Sequence, residues 1–286
     1  MSMPVKMEDD MYKRSVEIIE ETYLLEKELG TRLKNSTKAE RQQLYISLYD
    51  NLFQKLTFNP ILHEKTDPEV GAWVVARRME LVEPFLTPGT VFLEIGAGSC
   101  GVSLEVAKHV KRVYAIDVSF EVGQQLNPPA NFEFIVSDGL TIPVPNNSIS
   151  LAFSHQLMEH LHPEDAVEQL QNVYKAISPG GSYICVTPNR LSGPHDASQF
   201  FDDVATGWHL KEYSLSELYD LFRQVGFTKI SYYKYGKGAN INFPLNSITI
   251  TAIRTLETLI DQLPVSLKRK TAKALLFRGI TMIGVK

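Results

Sequence analysis

The run Val91-Phe-Leu-Glu-Ile-Gly-Ala-Gly-Ser-Cys-Gly101 places a carboxylate, Glu94, two and four residues before Gly96 and Gly98. Glycines at that spacing let backbone N–H groups come close to a ligand with no Cβ in the way. A second carboxylate, Asp117, stands 23 residues beyond Glu94 and ends the apolar run Arg112-Val-Tyr-Ala-Ile-Asp117. That spacing sets a carboxylate against a ribose diol in a doubly wound sheet, a bidentate task for which two oxygens are suited. A third, Asp138, ends Asn131-Phe-Glu-Phe-Ile-Val-Ser-Asp138. Imidazole is the other chemistry on offer. Of the seven histidines, His155, His160, His162, His195 and His209 fall after the fourth strand or in the connections beyond it, where a neutral ring can take a proton.

These groups need strands to end at one edge. The apolar runs 90–95, 111–117, 132–137, 149–154, 181–187, 227–234 and 279–285 read as strands, separated by helices at about 101–109, 119–126, 163–177 and 214–225. Such alternation predicts an α/β fold with a doubly wound, seven-stranded, mainly parallel sheet. Ser214-Leu-Ser-Glu217 is a capping box, and Gly226 ends that helix. Ahead of the sheet the pattern is helical over Met11–Leu33 and Ala39–Phe53, and Asp67-Pro68-Glu69 starts a third helix. Residues 1–85 are thus expected to form a helical N-terminal extension, with its first ten or so loosely held. Residues 86–286 form the main domain, with a helical insertion at 240–277.

Composition narrows the field. With 44% hydrophobic and 22% charged residues the chain is of ordinary globular type. A net charge of −4 argues against nucleic acid as the default partner and leaves a local basic patch open, as on the basic helix at 265–277. There is no signal-like N-terminal run and no long apolar run, so a cytoplasmic protein without a membrane span is expected. Cys100 and Cys185 read as buried thiols. The histidines and Asp196, Asp202 and Asp203 match no fixed metal-ligand spacing, and no metal is expected.

Five pieces in order carry a resemblance: Leu93-Glu-Ile-Gly-Ala-Gly98, Val113-Tyr-Ala-Ile-Asp-Val118, Val136-Ser-Asp-Gly139, Leu151-Ala-Phe-Ser-His-Gln-Leu-Met-Glu-His-Leu161 and Ile177-Ser-Pro-Gly-Gly-Ser-Tyr-Ile-Cys-Val-Thr-Pro188. Over residues 70–235 the chain resembles the class I S-adenosylmethionine-dependent methyltransferases, with Cys100 where a third glycine is usual. The resemblance implies a Rossmann-like methyltransferase fold and S-adenosyl-L-methionine as cofactor. Gly96, Ala97 and Gly98 would lie along its ribose and methionine part, and Glu94 would orient that turn or meet the ammonium through water. Asp117 would hold the ribose, Val118 would pack on adenine, and Asp138 would take the adenine amino group beside Gly139. The segment at His155 would lie by the sulfonium. The acceptor is expected to be a small molecule with a hydroxyl oxygen, and His160 and His195 are the candidate bases. N- or C-methylation and a non-catalytic donor-binding scaffold are the alternatives. A dinucleotide-binding oxidoreductase also fits Gly96, Gly98 and Gly101 formally. Tyr12, Tyr23, Tyr45, Tyr49, Trp73, Phe200, Phe201, Trp208 and Tyr213 are available to line the acceptor site. A homodimer stays open.

Overall fold

Each apolar run that ends in a carboxylate becomes a strand, and the strands lie side by side. The computed structural model describes residues 14–58, 60–120, 126–236, 239–275 and 277–286. Helices α1 (Val16–Lys34), α2 (Lys38–Lys55), α3 (Pro60–Thr66) and α4 (Pro68–Val82) precede the sheet. Asp67 caps α4 through Oδ1, which accepts from Glu69 N and Val70 N, with Pro68 in the first turn. The short α3 is absent from the sequence reading, because seven residues are too few to show a period.

The sheet follows with β1 (Val91–Ile95), α5 (Gly101–Val106), β2 (Arg112–Asp117), β3 (Phe132–Val136), β4 (Ile149–His155), α6 (Pro163–Ala176), β5 (Ile177–Pro188), α7 (Leu215–Val225), β6 (Lys229–Gly236), β7 (Ala239–Leu245), α8 (Ser247–Asp261), α9 (Val265–Ala274) and β8 (Gly279–Val285). The order is β3-β2-β1-β4-β5-β8-β6-β7. The first five strands in that order are parallel, and β8, β6 and β7 join through antiparallel pairs. The doubly wound α/β fold stands, but with eight strands in mixed orientation rather than seven. The insertion also begins as a strand. Ile241, Phe243 and Leu245 alternate with Asn240, Asn242 and Pro244, and Pro244 is tolerated because β7 is the edge of the sheet.

The expected helix at 119–126 falls largely outside the described residues, as do Tyr12 and the first ten residues. Both cysteines are buried and unpaired. Among the described residues no helix is long and apolar enough to cross a membrane. One face of the sheet packs under α5 with Phe92, Val106 and Phe153. The opposite face packs against α6 and α7, and its apolar cluster runs on into Leu29, Leu33, Tyr45, Leu48 and Leu52 of α1 and α2.

Candidate active site

The carboxyl ends of the parallel strands open into a cavity of about 730 Å³, within the range of small-molecule sites. One wall is the turn from β1 to α5. Gly96 and Gly98 take positive φ (70° and 52°) and line the cavity. A Cβ on Gly96 would stand 3.2 Å from Leu157 Cδ1. Cys100, in place of the third glycine, also takes positive φ (59°), so the turn keeps the glycine conformation and bears its strain. The turn is tied to β2: Gly96 N and Ala97 N both donate to Ile116 O, at 2.8 and 3.1 Å.

Asp117 faces this cavity. Its Oδ2 accepts from Gly98 N at 2.9 Å and its Oδ1 from Ser119 N at 3.0 Å. Burial pushes its carboxyl above the usual range, against the pull of those N–H groups. Val118 and Gly139 adjoin it, close enough that a Cβ on Gly139 would stand 3.2 Å from Val118 Cγ1.

Glu94, Ala97 and Asp138 are not among the residues that line the cavity. Glu94 is buried beneath the turn and accepts from Ser103 Oγ on α5; burial pushes its carboxyl to about 7. Ala97 is buried in the cluster beneath the turn. Asp138 closes its own turn: Oδ1 accepts from Leu140 N and Thr141 N, at 2.9 and 2.6 Å, and Oδ2 from Thr141 Oγ1 at 2.9 Å. Burial works against its charge, but the N–H groups of Thr141 and Leu140 prevail and hold it below its ordinary value. Its neighbours Ser137, Gly139 and Thr141 line the cavity; Asp138 does not. Sequence spacing locates a carboxylate but not the local N–H groups that occupy it.

The other wall is imidazole. His155, His160 and His195 all line the cavity. Burial holds His155 down to about 3, aided by the Arg78 guanidinium, and its Nδ1 has no hydrogen-bond partner. Burial and then the nearby His209 hold His160 down to about 3. His160 Nδ1 is 3.2 Å from Trp208 O, and a carbonyl can only accept. Nδ1 therefore carries the hydrogen and Nε2 keeps its lone pair. In His195, Nε2 sits 3.2 Å from Asn189 O and 3.0 Å from Ser192 Oγ, which leaves the lone pair on Nδ1. Burial lowers the His195 pKa, so this ring too is neutral. His162 caps α6 instead.

The end of β4 and the helices ahead of the sheet complete the lining, and of their residues Glu64 and Arg78 carry no local sequence signal. Gln156 holds positive φ (57°) at the end of β4, where its N–H donates to Val186 O. Tyr45 and Tyr49 come from α2, Glu64 from α3, and Trp73 and Arg78 from α4. Arg78 Nη2 donates to Glu64 Oε1 at 3.1 Å, and Ser99 Oγ to Glu64 Oε2 at 3.3 Å, so the helices lock onto the glycine turn. Of the other available aromatics, Tyr23 stacks on Phe201, and Phe200, Trp208 and Tyr213 are buried core.

A twisted parallel sheet with a reversed strand beside β5, and a glycine turn facing a strand-end carboxylate, define a Rossmann-like nucleoside-binding class. Comparison narrows it. Residues 92–181 match the family model described as a methyltransferase domain. A Mycolicibacterium smegmatis protein described as "Probable S-adenosylmethionine-dependent methyltransferase" is 26% identical over 177 residues, 59% of this chain and 65% of that one. Demethylmenaquinone methyltransferase of Chlamydia trachomatis is 33% identical over 95 residues, 31% of this chain and 40% of that one. The matched stretches thus span less than two thirds of either relative. Haemonchus contortus phosphoethanolamine N-methyltransferase 1, solved with phosphoethanolamine and S-adenosylhomocysteine, shares the fold, with a TM-score of 0.51 at 18% identity over 72% of this chain and 43% of that one. Residues 92–181 thus carry a methyltransferase domain, and the matches support the class I S-adenosylmethionine-dependent methyltransferase family for it.

Proposed function

We propose that this chain moves a methyl group from S-adenosyl-L-methionine to a hydroxyl oxygen of a small-molecule acceptor. One observation carries the reading: a single cavity joins Gly96, Gly98 and Asp117 on one side to three neutral imidazoles on the other. The donor supplies a methyl carbon already activated by its sulfonium. Asp117 holds the ribose diol, with the oxygens left over from its two N–H partners. Gly96 and Gly98 admit the ribose and methionine part, Val118 and Gly139 border the adenine, and His155 lies toward the sulfonium. Glu94 and Ala97 act from beneath, by fixing the turn.

A hydroxyl acceptor needs a proton acceptor, and His160 Nε2 or His195 Nδ1 supplies the lone pair. Residues 1–85 serve as the cover over residues 86–286, with Tyr45, Tyr49 and Trp73 shaping the acceptor side and excluding water. The acidic balance points away from nucleic acid as substrate.

Labelled donor incubated with a panel of hydroxylated metabolites tests this reading. Transfer to oxygen supports it; tight donor binding with no transfer across the panel overturns it in favour of a binding scaffold. Calorimetry tests the donor half. S-adenosylhomocysteine binds and NAD does not, and Asp117→Ala weakens S-adenosylhomocysteine by about 1–3 kcal/mol, the cost of a lost charged hydrogen-bond partner. Unchanged affinity in that variant would take Asp117 out of the site.

A further inference from the structure

Beneath the imidazole wall lies a group that the donor site does not use. Glu159 and His160 sit in the turn after β4, and His209 lies in the connection between β5 and α7. One oxygen of Glu159 and one ring nitrogen of each histidine lie within 4.8 Å of one another. Glu159 is wholly buried, and its Oε1 has no hydrogen-bond partner. A buried carboxylate oxygen without a donor is costly, and the group around it says what would satisfy it.

We propose that Glu159, His160 and His209 form a binding site for one divalent first-row transition ion, with an open coordination position toward the cavity. The donor set is two imidazoles and a carboxylate, which suits zinc, cobalt or iron over magnesium or calcium. A tetrahedral ion with bonds of about 2.0–2.2 Å needs ligand atoms about 3.3 Å apart, a modest contraction from the observed spacing. Each ligand is already oriented from behind. Thr187 Oγ1 donates to Glu159 Oε2 at 2.8 Å, His160 Nδ1 to Trp208 O at 3.2 Å, and His209 Nδ1 faces Glu212 Oε1 at 2.7 Å. Ring nitrogens held by a carbonyl and a carboxylate are the usual backing of metal-bound histidines. Buried Glu212 and Asp196 add two more carboxylates beside His209, Glu212 Oε1 at 2.7 Å from Nδ1 and Asp196 Oδ2 accepting from His209 N at 3.1 Å.

Only His160 of the three also lines the cavity, and there an ion would take an oxygen of the acceptor and ease its deprotonation. That service rests on the methyl-transfer reading, and it leaves His195 as the proton acceptor; the site itself does not depend on it.

Full-length protein stripped with a chelator is titrated with Co²⁺ and with Zn²⁺, with visible d–d bands and calorimetry as readouts. One ion per chain is expected, with tetrahedral-type cobalt bands. Glu159→Gln keeps the Thr187 hydrogen bond but not the ligand charge, and His209→Gln removes one nitrogen; each is expected to weaken cobalt binding at least tenfold. S-adenosylhomocysteine binding is measured on the same samples as a check of folding and of the donor site. No ion bound by the wild-type chain, or undiminished binding in both variants while they still bind S-adenosylhomocysteine, overturns the site. Ion binding intact with no S-adenosylhomocysteine binding in the wild type would instead sink the methyl-donor reading.

Discussion

His155 shows how a single side chain can set a pH dependence. Its ring is neutral because burial drives the pKa from 6.5 down to about 3, and Nδ1 finds no partner that would favour the charged form. The unfolded chain takes up a proton below pH 6.5 that the folded chain refuses. Stability tied to this ring is therefore present above 6.5 and is lost as pH falls toward 3. At about pH 5 the loss is about 2 kcal/mol, from 1.36 kcal/mol per unit of pKa difference. His155→Leu removes the term. Denaturant unfolding at about pH 7.5 and about pH 5 is expected to show the variant gaining about 2 kcal/mol on the wild type between the two. A difference that stays constant with pH would mean that His155 titrates normally. At this scale the places of Gly96, Gly98 and Asp117 on the cavity wall are legible in the sequence, because a glycine turn and a strand end are local signals. The partners of Glu94 and Asp138 are not legible in the same way: Ser103 Oγ donates to Glu94 from α5, and Leu140 N, Thr141 N and Thr141 Oγ1 donate to Asp138.

Among the elements, helix starts illustrate what is local and what is not. The start of α7 is capped twice. The box of Ser214 and Glu217 can be read directly from the chain. The second cap is Glu257 of α8, buried, whose Oε1 accepts from Leu215 N at 2.8 Å and Ser216 N at 3.3 Å, while its Oε2 accepts from the hydroxyls of Ser214 and Ser216. Nothing within a few residues of Glu257 announces this, since its partners lie some forty positions away. Glu257→Ala leaves two buried N–H groups and two hydroxyls short of an acceptor and should cost about 2–3 kcal/mol. Thermal or chemical unfolding measures that loss. S-adenosylhomocysteine affinity should not move, because α7 and α8 contribute no side chain to the cavity. A variant as stable as the wild type would reduce Glu257 to a bystander. Strand β7 lies in a stretch whose sequence points to helix for a different reason. Its period of two is present, but Asn240, Asn242 and Pro244 argue against a strand until the sheet edge is known, where a missing N–H and polar residues are tolerated.

For the molecule as a whole, the N-terminal helices and the sheet share one interior. Leu33, Leu48 and Leu52 belong to the same buried cluster as Ile95 and Ile116 beneath the cavity. A buried ion pair binds the two parts further: Arg41 Nε donates to Asp165 Oδ2 at 2.6 Å and Arg41 Nη2 to Oδ1 at 2.9 Å, with Tyr45 Oη donating to the same carboxylate at 2.9 Å. The longer helices of the extension and the strands of the parallel half are legible in the sequence from period and caps. The shared interior is not, because the contacts of Tyr45, Arg41 and Asp165 span more than a hundred residues. A chain lacking residues 1–57 loses the Arg41–Asp165 ion pair and uncovers the apolar cluster that Leu33, Leu48 and Leu52 complete. Folded domains have only about 5–15 kcal/mol in hand. The full chain is therefore expected to melt in one transition that S-adenosylhomocysteine raises, with a stabilisation of about 2.7 kcal/mol at a hundredfold excess over its Kd. The shortened chain should show no cooperative transition and no such response. Scanning calorimetry with and without S-adenosylhomocysteine decides it: a shortened chain that melts sharply and still responds would make the extension a separable cover rather than part of the core.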